Sequence, residues 1–278
     1  VSENLLNAYQ NVIRSDLDPA MKAMILELPE DSYILQHEKE LDPESLLIAR
    51  QKLETAIAQK LATEFEQIYK KFHGQNTKST DPKEFAKRRL KNLALRYLAN
   101  LPAGEKLTYT QFQNAEIMTD QQTALAILAD LETPLRKKAL NEFFEQWKND
   151  SLVLNKWFSI QAQSQHKETF QNVQSLLEHS HFNIKNPNRV YSLLLRFGEN
   201  LTQFHRPDIN AYEFMADQIL KLDQINPQVA TRVSTTFAVW TKLPGEQKKK
   251  ARAALERLAR ATLSKNTFEV ISRTLSAE

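Results

Sequence analysis

Apolar residues recur along this chain every three or four positions. Leu53, Ile57, Leu61, Phe65, Ile68 and Phe72 follow one another on a single helical face. Val190, Leu193, Leu194 and Phe197 fall at i, i+3, i+4 and i+7. Met215, Ile219 and Leu222 repeat the rhythm, as do Val229, Val233, Phe237 and Trp240. No segment reads as a convincing strand. Thr235, Thr236 and Phe237 are β-prone locally but lie inside a helical pattern, where tertiary context should prevail.

The polar positions punctuate that pattern. A capping residue precedes proline at Asp18-Pro19, Asp42-Pro43, Asp81-Pro82, Thr133-Pro134, Asn186-Pro187 and Asn226-Pro227. The Asp, Asn or Thr side chain accepts a bond from a first-turn amide, and proline suits the first helical position because its missing N–H has no partner there. Each pair therefore predicts a helix start. The predicted helices cover about 2–14, 19–27, 31–38, 43–73, 82–99, 108–116, 120–130, 134–149, 152–163, 167–179, 187–199, 210–224, 227–241, 245–262 and 266–275. The helix from Asp42 to His73 would be about 45 Å long. The clearest breaks are Gly74 to Thr80 and Leu101 to Lys106, both too short for an interdomain tether.

The fold expected is all-α: some 13 to 15 helices in antiparallel pairs, forming an armadillo/HEAT-like α-solenoid or superhelix in a single domain over residues 1–278. The capped prolines are spaced 24, 39, 52, 53 and 40 residues apart, so any repeat is structural rather than a fixed sequence period.

Composition narrows the chemistry. There are 4 glycines where average usage gives roughly 19, which excludes clustered-glycine phosphate cradles. Cysteine is absent, and with it disulfides, thiolate metal sites and a cysteine nucleophile. A net charge of +3 leaves no dominant field to draw in nucleic acid. No run approaches the 18 or so apolar residues that span a bilayer, and the start of the chain lacks a signal-peptide layout. The expectations are no nucleic-acid partner, no membrane and a cytoplasmic location. The first residue is Val rather than Met, which suggests a processed or excised piece.

Candidate catalytic groups fail on spacing. The only His-Glu pair is His37-Glu38, and Leu41 stands where a zinc-binding His-Glu-x-x-His motif needs its second histidine. His179 and His181 are expected to be solvated at a helix end, where a cation meets the negative dipole, and His73, His166 and His205 are read the same way. No Gly-x-Ser-x-Gly elbow occurs. Glu142 and Glu145 read as a solvated face. So do the basic runs Lys87-Arg88-Arg89-Leu90-Lys91 and Lys248-Lys249-Lys250-Ala251-Arg252, the alternative being a solenoid gripping phosphates. No catalytic residue, metal ligand or cofactor is expected within the chain.

Two helix starts carry more interest. Gln228 and Arg232 are four apart, beside the buried face of Val229, Val233 and Phe237, near a helix N-terminus. There the dipole is positive and amides are free, which suits a carboxylate or peptide carbonyl. Asn188 and Arg189 occupy the first turn after Asn186-Pro187 in the same way. The bland reading of both is caps with surface polar groups.

At these residues the sequence resembles the C-terminal helical domain of bacterial-type aminopeptidase N, a zinc metalloaminopeptidase family. The resemblance runs through Asp18-Pro19-Ala20 with Ile25-Leu26-Glu27-Leu28-Pro29; Arg88-Arg89-Leu90-Lys91-Asn92; Asn114-Ala115 with Met118-Thr119-Asp120; Trp147 with Asn155-Lys156-Trp157-Phe158; Asn186-Pro187-Asn188-Arg189; and Asn226-Pro227-Gln228-Val229-Ala230 with Arg232. Each stretch is short, but their order and spacing together are specific. The resemblance implies a longer parent in which an N-terminal β domain and a thermolysin-like catalytic domain precede this part and carry the zinc, so those domains and peptide substrates are the partners. It also implies that the family's domain starts earlier, so that its first helices lie outside this chain. It further implies a curved helical cover over the catalytic cleft that limits access, with Gln228 and Arg232 binding substrate beyond the scissile bond. Asn188 and Arg189 match the family stretch, and Arg189 has a structural ion pair as its alternative. Two readings from other classes remain: a free-standing α-solenoid scaffold for a peptide or nucleic acid, and an autonomous enzyme, which the missing motifs disfavour.

Overall fold

The computed structural model describes residues 1–75 and 78–277. Asn76 and Thr77, inside the expected break from Gly74 to Thr80, lie outside the described residues, as does Glu278. Among the described residues every regular element is a helix. In order they are α1 (Glu3–Arg14), α2 (Pro19–Leu26), α3 (Asp31–His37), α4 (Pro43–Lys60), α5 (Ala62–Phe72), α6 (Pro82–Leu98), α7 (Gly104–Asn114), α8 (Met118–Asp130) and α9 (Pro134–Trp147). Then come α10 (Ser151–Gln163), α11 (Thr169–Leu177), α12 (Pro187–Val190), a π-helical turn (Tyr191–Leu195), α13 (Arg196–Gly198), α14 (Leu201–Phe204), α15 (Ala211–Ile225) and α16 (Pro227–Ser234). Two 3₁₀ turns (Thr235–Phe237, Trp240–Lys242), α17 (Gly245–Arg260) and α18 (Lys265–Leu275) complete the chain.

All six capped prolines open helices. Asp18, Asp42, Asp81, Thr133, Asn186 and Asn226 each accept from an amide of the first turn that follows. The helix expected over 43–73 is two. Leu61 leaves the helical region at φ −117°, ψ 22° and buries its side chain. The apolar rhythm continues in register through this break, so spacing alone did not reveal it. α7 starts at Gly104, four residues before its predicted start, because its polar first turn reads as loop. Gly104 is required there: a Cβ would lie 2.2 Å from the Leu98 carbonyl oxygen.

The chain divides into two compact units, Val1–Glu30 with Leu47–Phe143, and Asp31–Leu46 with Phe144–Glu278. In the first, α2 and α5 pack on α6, and α7 on α8. Its core includes Leu26, Ile57, Leu61, Phe65 and Tyr97. Phe65 stacks on Tyr97 at 4.7 Å, and the Tyr97 hydroxyl donates to the Leu26 carbonyl at 2.6 Å, so the one polar atom of that buried ring is satisfied.

In the second unit, Phe170, Phe197, Phe204, Tyr212 and Phe237 form a chain of mostly edge-to-face aromatic contacts. Residues of α3 and the segment after it belong to this unit. Leu41 N–H donates to the Lys242 carbonyl, and the Lys242 ammonium donates to the carbonyls of Leu35 and Glu38. α15, α16, α17 and α18 pack on one another, and α16 also packs on the π-helical turn.

Candidate functional site

α16 presents the residues that the sequence singled out. Asn226 caps the helix, its side-chain oxygen accepting from Val229 N–H at 3.3 Å, and Pro227 takes the first helical position. Val229, Ala230 and Val233 are buried, which turns the opposite face outward. Gln228 and Arg232 are exposed on that face, one turn apart. Neither side chain has a hydrogen bond or ion pair among the described residues. Other arginines of the same unit are committed: Arg257 to Glu213 and Asp217, Arg206 to Asp208, and Arg196 to Glu199. Gln228 and Arg232 thus offer amide and guanidinium donors to a ligand without first breaking an internal bond.

The second corner is built the same way and ends differently. Asn186 accepts from Asn188 N–H at 3.0 Å and Arg189 N–H at 3.3 Å. Asn188 is exposed, as expected. Arg189 is not: it is 4% exposed, its guanidinium lies 4.9 Å from the centre of the Phe158 ring, and Nη2 reaches Ser151 Oγ at 3.5 Å. Nη1 is sealed from solvent and has no hydrogen-bond partner among the described residues. Burial lowers the Arg189 pKa. No ion pair forms at Arg189 among the described residues, so the structural alternative is realised as cation–π packing against α10 rather than as an ion pair. Sequence spacing placed Arg189 in the first turn correctly but did not fix which way a first-turn residue faces.

The histidines correct a second expectation. His179 and His181 sit in a turn after α11, half-buried. Both rings meet Phe144 edge-on, and His179 also contacts Trp157 and Phe158. The His179 pKa is lowered, chiefly by burial and then by the charges of His181 and Arg189, so it is not the helix-end cation expected. His166 is buried, its Nδ1 accepting from Glu168 N–H. His205 is 1% exposed, with Nδ1 3.1 Å from the Tyr212 hydroxyl, and burial pushes its pKa down to about 3. His73 remains at the surface.

The first basic run is also more than a solvated face. Lys91 is 1% exposed and pairs with Asp120, while Asn92 donates to the other Asp120 oxygen at 2.9 Å and Gln111 donates to Asn92. Burial lowers the Lys91 pKa against the pull of Asp120. The stretches Arg88–Asn92 and Met118–Asp120, distant in sequence, meet here. A signal was present: Lys91, Ala94, Leu95 and Leu98 stand at i, i+3, i+4 and i+7, which put a lysine on the buried stripe. The second run stays largely outward, with Lys249 paired to Glu246 and Arg252 to Glu256.

No group of three or more His, Asp or Glu that could hold a metal ion occurs among the described residues. None of their helices is long and apolar enough to cross a membrane.

A family model described as a domain of unknown function, DUF3458_C, ARM repeats, matches residues 1–276. Aminopeptidase N of Haemophilus influenzae is 31% identical over 278 residues, covering 99% of this chain and 32% of its own length. Aminopeptidase N of Escherichia coli is 32% identical, covering 98% and 32%. Aminopeptidase N of Caulobacter vibrioides is 33% identical over 262 residues, covering 93% and 30%. The crystal structure of Legionella pneumophila aminopeptidase A in complex with aspartic acid superposes with a TM-score of 0.91 at 28% identity, over 100% of this chain and 34% of that one. The chain thus spans about a third of the length of the relatives it matches.

Proposed function

The chain belongs to the DUF3458_C family of ARM-repeat domains, and from that premise we propose that it is the non-catalytic C-terminal domain of a zinc aminopeptidase N, its two units forming one domain. In this reading it covers the active-site cleft of the parent, limits access to it, and binds peptide substrate beyond the scissile bond. The parent removes N-terminal residues from peptides in the cytoplasm. The observation that carries the reading is the alignment of three aminopeptidase N relatives along 93–99% of this chain and only 30–32% of themselves.

Zinc belongs to the rest of the parent. The present chain has no cysteine, and its described residues offer no trio of ligands, so its donor set does not fit the ion. What this chain contributes is binding. Gln228 and Arg232 take a peptide carbonyl or the C-terminal carboxylate of a short substrate: the guanidinium fork matches a carboxylate, and the Gln228 amide adds a neutral donor. Their exposure and lack of internal partners support this role. Asn188 is a second contact, and Arg189 holds its turn in place from within.

Arg232→Ala in the full-length enzyme tests the reading. Losing a charged hydrogen bond of about 1.5–3 kcal/mol should raise KM for a tripeptide roughly 10- to 100-fold. A single-residue amide, too short to reach Arg232, should change little. Equal loss on both substrates counts against the role.

A further inference from the structure

The placement of Gln228 and Arg232 depends on the start of α16, because neither side chain has a lateral support of its own. Asn226 alone joins α15 to α16, ending one helix and capping the next at φ −150°, ψ 95°. A single extended residue does not by itself fix the direction of the helix it opens. A cluster of buried and half-buried polar groups from α15 and α18 surrounds that junction.

Asp223, in the last turn of α15, accepts from Ser264 N–H and from Ser264 Oγ, both at 2.6 Å. Ser264 immediately precedes α18. Thr267, buried in the first turn of α18, has Oγ1 3.1 Å from Ser264 Oγ, 3.0 Å from Thr231 Oγ1 and 3.3 Å from the Pro227 carbonyl. Thr231 Oγ1 donates to the same Pro227 carbonyl at 2.7 Å. The hydroxyl protons can be assigned from this. The Asp223 carboxylate only accepts, so it takes the Ser264 proton, and the Pro227 carbonyl takes that of Thr231. The Thr267 proton is left to the oxygens of Ser264, Thr231 and Pro227, each of which retains a lone pair. Burial alone would raise the Asp223 pKa, but the Ser264 hydroxyl and N–H, with the Thr267 hydroxyl close by, outweigh it and keep the carboxyl below its ordinary range. At its other end α18 is held by Trp240, whose Nε1 donates to the Thr274 carbonyl at 2.7 Å.

We infer that Thr267, together with Asp223 and Ser264, is a positioning cluster that fixes the first turn of α16 and thereby sets where Gln228 and Arg232 point. The inference rests on the substrate-binding role proposed for that pair. None of the three touches the proposed substrate contacts; they act through the Pro227 carbonyl and Thr231. Preorganised contacts need such support, since a small tilt at a helix start displaces a long side chain by an ångström or more.

The test compares Thr267→Val, which keeps the shape and removes the hydroxyl, with Thr267→Ser, which keeps the hydroxyl, in the full-length protein. Hydrogen exchange is measured over residues 227–234, with kinetics on a tripeptide and on a single-residue amide. Thr267→Val is expected to speed exchange in the first turn of α16 about tenfold and to raise tripeptide KM about fivefold. The amide kinetics and the exchange of α17 stay unchanged, and Thr267→Ser behaves as wild type. Ser264→Ala, at a half-buried position, gives the same effects in weaker form and serves should Thr267→Val not fold. Unchanged exchange in α16, or an equal KM rise on both substrates, overturns the inference. If Arg232→Ala leaves tripeptide KM unaltered, the substrate-binding reading fails instead, and the exchange data still decide the clamp.

Discussion

His205 shows how far burial alone moves one residue. Its ring is packed beside Phe204 and Tyr212, and its Nε2 has no hydrogen-bond partner among the described residues. Protonation would place an uncompensated charge there, so its pKa falls to about 3 from an unfolded value near 6.5. The unfolded chain therefore binds the proton more readily, and stability rises with pH. The contribution is complete above about pH 6.5 and is lost by about 1.4 kcal/mol per unit as pH falls toward 3. Urea unfolding at pH 7 and pH 5 should show wild type losing about 2 kcal/mol more than His205→Gln across that interval. Parallel losses would mean that His205 is not the group responsible. Nothing in the local sequence foretold this: one histidine between Phe204 and Arg206 has no periodicity of its own. Lys91 was different, since its position on an apolar stripe was legible, but its charge drew it into the basic-run reading. The outward placement of Gln228 and Arg232 was legible because their helix start and buried face were. Arg189 needed the ring of Phe158, which is remote in sequence.

Helix starts were the most readable elements, because an Asx-Pro or Thr-Pro pair acts through bonds made within three residues. Breaks were the least readable. At 187–199 the chain passes through a π-helical turn, and after Ser234 the helix tightens into 3₁₀ turns. Neither change interrupts the spacing of apolar residues, so both depend on neighbours. Gly198 supplies one such neighbour. A Cβ there would lie 2.2 Å from the Thr236 methyl and 2.5 Å from its Cβ, so α13 can approach the 3₁₀ turn at Thr236 only without a side chain. Gly198→Ala should therefore cost about 1–3 kcal/mol despite its better helix propensity. Thermal unfolding checks this, and a neutral or stabilising effect would show that the two elements separate freely. The short helix Leu201–Phe204 went unread, being a single turn with no repeat to detect.

At the scale of the whole molecule, the all-helical reading rested on scarce glycine, capped prolines and the 3–4 rhythm, and every described element agrees with it. Family membership follows from the match over residues 1–276. In the proposed function labour is divided: this chain would bind and gate, and the chemistry would lie in the rest of the parent. The most direct measurement is zinc content and aminopeptidase turnover of the 278-residue chain, alone and then with the separately expressed remainder of the enzyme. The expected result is no zinc and no turnover alone, with the activity and peptide-length preference of the remainder changed on mixing. Stoichiometric zinc or turnover by the isolated chain would contradict it.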